Sequence, residues 1–159
     1  MKVTVRQATQ ADADALAELC AEVQAIHVQL HPHLFLEPAL YELADFFRDR
    51  LDDPDFTAYL AFDGDQPVGY VLLNVVRRPA NLLLRKREYL EIDQICVREN
   101  HRRQGIGEQL VSRAAEVARE LGVEEVQLNV WADNAPAVAA FEALGFKKQR
   151  HVMSHFEAR

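Results

Sequence analysis

Two stretches of this 159-residue chain hold residue types and spacings suited to chemistry. Arg102-Arg103-Gln104-Gly105-Ile106-Gly107 follows an apolar strand pattern, Leu90–Val97, and opens a helical pattern running to about Leu121. A glycine-bearing turn at a helix N-terminus presents unpaired backbone N–H groups, and the helix dipole adds to their pull on an anion. Gly105 and Gly107 let a ligand approach the backbone, and Arg102 and Arg103 add phosphate partners. The turn suits a pyrophosphate. On the strand ahead of it, Glu91 and Asp93 stand two residues apart and therefore on one face. Two carboxylates near a cleft can share a water or hold a cation. Solvated strand charges would look the same in sequence.

Other readings of the turn fare worse or say less. A dinucleotide fingerprint wants a third glycine where Leu110 stands, and a P-loop wants Gly-Lys-Ser/Thr, which is absent. A plain strand-to-helix turn also uses glycine. His27 and His31 are four apart, a spacing that can hold zinc on a helix. No third ligand of suitable spacing is near, and Pro32 disrupts the geometry before His33. No metal is expected; satisfied helix-end histidines explain the pair. Cys20 and Cys96 lie in apolar patterns and read as buried thiols, too few for a disulfide framework.

The elements that must position these residues follow from periodicity. Residues 2–8 alternate as a strand, and Thr9–Asp12 resembles a capping box. Leu16, Leu19, Cys20, Val23, Ile26 and Leu30 keep a helical period up to Pro32. A second helix fits Pro38–Leu51. Strands are expected at 57–62 and 67–76, with Asp63-Gly64-Asp65 turning between them. A loop at 77–85 leads into the strand ending at Val97. After the glycine turn, Ile106, Leu110, Ala114, Val117 and Leu121 form one apolar stripe, ended by Gly122. A strand at 125–130, a short helix capped by Asn134 and tolerating Pro136, and a last strand at 146–156 complete the order β-α-α-β-β-β-α-β-α-β. That order indicates an α/β (α+β) mixed sheet covered by helices.

Length and composition suit one domain over 1–159, with 49% hydrophobic and 27% charged residues. No apolar run approaches the roughly 20 residues that span a bilayer, and the N-terminus lacks a signal peptide's apolar core; the expected location is cytoplasmic, with no membrane partner. A net charge of −7 argues against nucleic acid. Acid concentrates between Glu37 and Asp65, opposed there only by Arg48 and Arg50, while Arg98, Arg102 and Arg103 surround the turn. This is either a basic socket beside an acidic approach for a cation, or a solvated helix face with turn aspartates. The apolar Leu82-Leu83-Leu84 is either a partner contact, a homodimer included, or a segment tucked under the domain.

Residues 134–146 read Asn-Ala-Pro-Ala-Val-Ala-Ala-Phe-Glu-Ala-Leu-Gly-Phe, and here the chain resembles the GNAT family of N-acetyltransferases. Arg102, Gly105 and Gly107 match that family's Gln/Arg-x-x-Gly-x-Gly/Ala motif. Asn134, Ala137, Gly145 and Phe146 match its Asn-x-x-Ala-x-x-x-Tyr-x-x-x-Gly-Phe signature. The resemblance implies a mostly antiparallel sheet of six to seven strands with helices on both faces, and transfer of acetyl from acetyl-CoA to an amine. It implies that the strand ending at Val97 splays from the one at 125–130, with pantetheine paired to the backbone of Ile95 and Val97 while Cys96 faces the core. The amides of Arg103, Gln104, Gly105, Ile106, Gly107 and Glu108 would hold the pyrophosphate, and Asn134 would touch the pantetheine. Glu91 stands where some members place a glutamate base, with Asp93 beside it. His27 and His31 fall in the region that walls the acceptor site. The family's tyrosine is Phe141 here, which packs near the sulfur but donates no proton; Tyr70, Tyr89, Ser154 or water could fill that role. Phe141 also keeps open a non-catalytic acyl-CoA-binding domain. The expected reaction is direct transfer in a ternary complex to a small-molecule, N-terminal or lysine amine.

Overall fold

A computed structural model describes residues 2–157. Met1, first residue of the N-terminal strand pattern, and residues 158–159, at the end of the expected single domain, lie outside the described residues. The chain divides into two units, Met1–Asn129 and Val130–Arg159.

The first unit contains β1 (Val3–Gln7), α1 (Ala13–Leu30), α2 (Leu40–Asp52), β2 (Phe56–Asp63), β3 (Gln66–Arg78), β4 (Arg87–Val97), α3 (Ile106–Leu121) and β5 (Val126–Leu128). Its sheet runs β1-β2-β3-β4-β5, antiparallel except for the parallel β4–β5 pair. The entry to α1 is set as its sequence predicts: Thr9 N–H donates to Asp12 Oδ2 at 2.8 Å. Leu16, Leu19 and Cys20 of α1 and Leu43, Ala44 and Phe47 of α2 bury against Ala58, Leu60, Tyr70 and Leu72 on one sheet face. The other face takes the apolar stripe of α3, Ile106, Leu110, Ala114 and Val117. Leu121, expected on that stripe, is 50% exposed, because it sits in the last turn before Gly122.

Gly69 is required by close packing of β3 on β4. A Cβ built there would stand 2.7 Å from the Cys96 carbonyl oxygen and 3.4 Å from Leu110 Cδ1. The obstacle on one side is backbone, so it yields only if the strands part. Gly69→Ala is expected to destabilise the fold by about 1–3 kcal/mol, measurable as a lower urea midpoint at unchanged m-value.

In the second unit, α4 (Ala135–Ala143) starts where Asn134 Oδ1 accepts from the Ala137 N–H at 3.4 Å. The strand expected at 146–156 does not form, and among the described residues the sheet has five strands rather than six or seven. One face of such a strand would have carried Phe146, Val152 and Phe156 but also Lys148 and Arg150, so it lacks the continuous apolar side that a half-buried strand needs. The strand expected at 125–130 shrinks to the three residues of β5.

In the β3–β4 loop, Leu82 and Leu83 are 98% and 88% exposed, which excludes the tucked arrangement. Among the described residues, no helix is long and apolar enough to cross a membrane.

Candidate active site

The β4 strand is irregular where its carboxylates lie. Leu72 pairs with Gln94 and Leu73 with Ile92, so Asp93 is an extra residue without a partner on β3. A bulge of this kind bends a strand and re-aims its side chains. The parallel ladder to β5 covers Leu90 to Ile92 and stops there. Among the described residues the β5-side edge of β4 has no strand partner from Asp93 to Val97.

Phe56, Asn74 and Glu91 lie opposite one another across β2, β3 and β4, so they share a face. Phe56 packs against the α1–α2 core, which identifies that face. Burial raises the Glu91 carboxyl, and the like charge of Asp93 raises it further; the Asn74 carboxamide and Arg78 pull the other way. Partial burial also raises Asp93, opposed by the charge of Arg50. The charge of Asp93 acts on Glu91 across the bulge. Strict alternation is not the reason, since the bulge lies between Ile92 and Gln94.

Beyond the bulge, Gln94 and Cys96 turn toward α1. Tyr70 donates its hydroxyl to Gln94 Oε1 at 2.7 Å, and the Cys20 thiol donates to the same oxygen at 3.8 Å. Cys96 Sγ donates to the Leu19 carbonyl at 3.3 Å, and burial pushes its thiol up to about 12. Cys96 thus faces the core as a protonated thiol, unsuited to carrying an acyl group. Tyr70 is fully buried and already spends its proton on Gln94, which removes it as a donor to a leaving thiolate. Tyr70→Phe is expected to cost about 1 kcal/mol of stability, read from thermal unfolding, with turnover retained.

The glycine turn leads into α3 through two left-handed residues, Arg103 (φ 62°) and Gly105 (φ 81°). For arginine this conformation costs roughly 1–2 kcal/mol. The first α3-type bond is Gln109 N–H to the Gly105 carbonyl, 3.1 Å. Among the described residues, no protein acceptor meets the backbone N–H groups from residue 103 to 108. Cβ atoms built at Gly105 and Gly107 meet nothing within 4 Å, so both glycines border open space. His101 anchors the turn, with Nε2 3.3 Å from Asp63 Oδ2.

The arginines divide their work differently from the expected three-cation socket. Arg98 is engaged with Glu22 at 2.6 Å and with the Pro67 carbonyl at 2.9 Å. Arg102 donates from Nε to the Val97 carbonyl at 3.0 Å. Arg103 alone of the three has no side-chain partner among the described residues. Two clefts flank the turn. One, about 690 Å³, lies along α1 and is lined by Glu22, Ile26, Gln29, Arg98, Asn100 and Arg102. The other, about 760 Å³, lies between β1 and α3. Neither includes Glu91 or Asp93.

His27 packs its ring on Phe35 at 4.9 Å, and burial with the nearby His31 lowers its basicity. His31 caps α1, its N–H donating to the His27 carbonyl. In the second unit, Asn134 caps α4 and Phe141 packs edge-on to Phe146, 5.8 Å between centroids.

Sequence reasoning missed Asn74, Gln94 and Arg50. Neither polar strand residue stands out in its own strand pattern. Arg50 is the basic residue in the last turn of an amphipathic helix, where helix-dipole stabilisation explains it fully.

The sequence profile of the Acetyltransferase (GNAT) family matches residues 20–146. An N-alpha-acetyltransferase of Sulfurisphaera tokodaii is 30% identical over 119 residues, 71% of this chain and 69% of that protein. The L-amino acid N-acetyltransferase AaaT of Escherichia coli is 26% identical over 148 residues, covering 92% of this chain and 83% of that one. Among solved structures, a variant of the BH1408 protein from Bacillus halodurans has a TM-score of 0.92 at 22% identity, covering 98% of this chain and 99% of that one, and so shares the fold. A profile match over most of the length and a 30% identical relative place this chain in the acetyltransferase (GNAT) family, a family of acyltransferases.

Proposed function

We propose that the protein transfers acetyl from acetyl-CoA directly to a primary amine. The observation that carries this reading is the adjacency of three features on β4 and its continuation: a raised carboxylate at Glu91, an unpaired strand edge, and open backbone donors before α3. Each answers one need of the reaction.

The amides of Arg103, Gln104, Gly105, Ile106, Gly107 and Glu108 bind the pyrophosphate, helped by the α3 dipole and the Arg103 guanidinium. Pantetheine amides pair with the backbone of Ile95 and Val97 along the unpaired edge. The residues present fit such a ligand, since a side chain at Gly105 or Gly107 would project into open space that the diphosphate needs.

A free alkylamine has a pKa near ~10.4, so at neutral pH it arrives as ammonium and must lose a proton. Glu91 takes it, directly or through water, and Asp93 keeps Glu91 basic enough to do so. The amine nitrogen then forms the C–N bond to the thioester carbonyl, the C–S bond breaks, and the nitrogen gives up its second proton to water. The thiolate takes its proton from solvent, because Phe141 donates none and a thiol of pKa near ~8.5 leaves without an acid. His27 and His31 wall the acceptor.

The named relatives act on different acceptors, so the acceptor is a separate question. Release of free CoA thiol from acetyl-CoA tests the reading. Release that depends on added amine and on acetyl-CoA together is the expected outcome. Tight acetyl-CoA binding without amine-dependent release would mark a binding module instead.

A further inference from the structure

One cation near the Glu91 face, Arg50, makes no hydrogen bond or ion pair among the described residues. Arg50 leaves the last turn of α2 with its guanidinium over two rings, 4.4 Å from the Phe46 centroid and 5.0 Å from that of Phe56. Its Nε is buried and makes no hydrogen bond. Among the described residues its side chain forms no hydrogen bond or ion pair, whereas its neighbour Arg48 is paired to Asp14 and Asp45. Two rings lie against the guanidinium, and of its nitrogens Nε is the buried one without a partner. A desolvated, stacked guanidinium is the form of arginine best suited to bind a carboxylate.

Its position relates it to the reacting end of the site. Phe56, under Arg50, is on the same row and face as Glu91, two strands away, about 10 Å at ~4.8 Å per strand. Arg50 also acts electrostatically on Asp93, so its charge is felt on the Glu91 side of that ring.

We propose that Arg50 is a specificity-determining residue that binds the carboxylate of a zwitterionic acceptor, so that the substrate class is α-amino acids rather than simple amines or polyamines. The inference rests on the acetyl-transfer reading above. Glu91 and Asp93 receive the ammonium end, and Arg50 receives the carboxylate end. A polyamine would place a second cation against the unpaired guanidinium, and like charges there disfavour it.

The test measures kcat/KM by CoA thiol release for matched acceptors: L-amino acids, their amides, the corresponding decarboxylated amines, and dipeptides that carry the carboxylate further from the amine. For the unmodified protein, the acid is expected to exceed its amide by about ten- to a hundredfold, the worth of a charge-assisted hydrogen bond. In Arg50→Gln that ratio is expected to fall close to one, while Arg50→Lys, which keeps the charge but loses the stacked fork, retains part of it. Acetyl-CoA affinity by calorimetric titration and the melting temperature report whether each variant is folded. Equal turnover of acids and amides by the unmodified protein overturns the proposal and leaves acetyl transfer standing. So does a ratio that survives in both variants, and so does a dipeptide preferred over the free amino acid. No thiol release with any acceptor, with acetyl-CoA still bound, overturns the underlying reading and the proposal together.

Discussion

Glu91→Gln is expected to lower kcat by about 10²–10⁴-fold, the usual worth of a positioned general base, with the acetyl-CoA dissociation constant nearly unchanged. The reason is positional: Glu91 sits on the α1–α2 face of β4, whereas the proposed donor contacts are backbone groups from residue 95 onward. The pH profile gives the same residue a second signature. A base works in its ionised form, so kcat/KM should rise with pH through the Glu91 titration. Burial and Asp93 raise that carboxyl, so the acid limb should stand above the ~4.3 of an ordinary glutamate. Asp93→Asn removes the like charge and should move the limb down. Arg78→Ala removes a cation that favours the ionised form and should move it up. Undiminished turnover by Glu91→Gln at neutral pH would rule the residue out as the base.

Gly105→Val should weaken acetyl-CoA binding by about ten- to a hundredfold, on the scale of one or two charge-assisted hydrogen bonds. Gly105 holds φ at 81° where α3 begins, and its amide is among the donors left open. A β-branched residue is costly in that left-handed conformation, about 1–2 kcal/mol from the backbone alone. Relaxing the strain rotates the neighbouring peptide planes, so their N–H groups no longer converge. Calorimetric titration gives the affinity and thermal unfolding the stability. An acetyl-CoA affinity equal to that of the unmodified protein would show that the turn does not hold the diphosphate. Gly107→Ala is the gentler control, because Gly107 adopts no left-handed φ.

The chain's first arrangement was legible residue by residue where the requirement is local. Gly105 and Gly122 bracket α3, and the left-handed φ at Gly122 is the usual helix C-terminal stop. The stripe from Ile106 to Val117 shows its period within one helix, and Thr9 with Asp12 sets the entry to α1 within four residues. The second motif added the family, and with it the expectation that β4 and β5 separate. The strand at 146–156 misled because its terminal apolar residues resemble a strand while Lys148 and Arg150 break the face between them.

What neighbours in sequence determined about this protein is thus the turn that can take an anion, the helix behind it and the carboxylates on the strand ahead. Tertiary structure alone decided which side chains meet there. The unpaired Asp93 between Ile92 and Gln94 exists only as a mismatch between β4 and β3, and no residue of β4 by itself announces it. Arg98 and Arg102, equal to Arg103 in sequence, are spent on Glu22, Pro67 and Val97. Arg50 lies 41 residues from Glu91 along the chain and reaches its face through Phe56. Backbone conformation and periodicity are short-range and leave their record in adjacent residues, whereas register and cross-strand placement are set by pairing between distant segments.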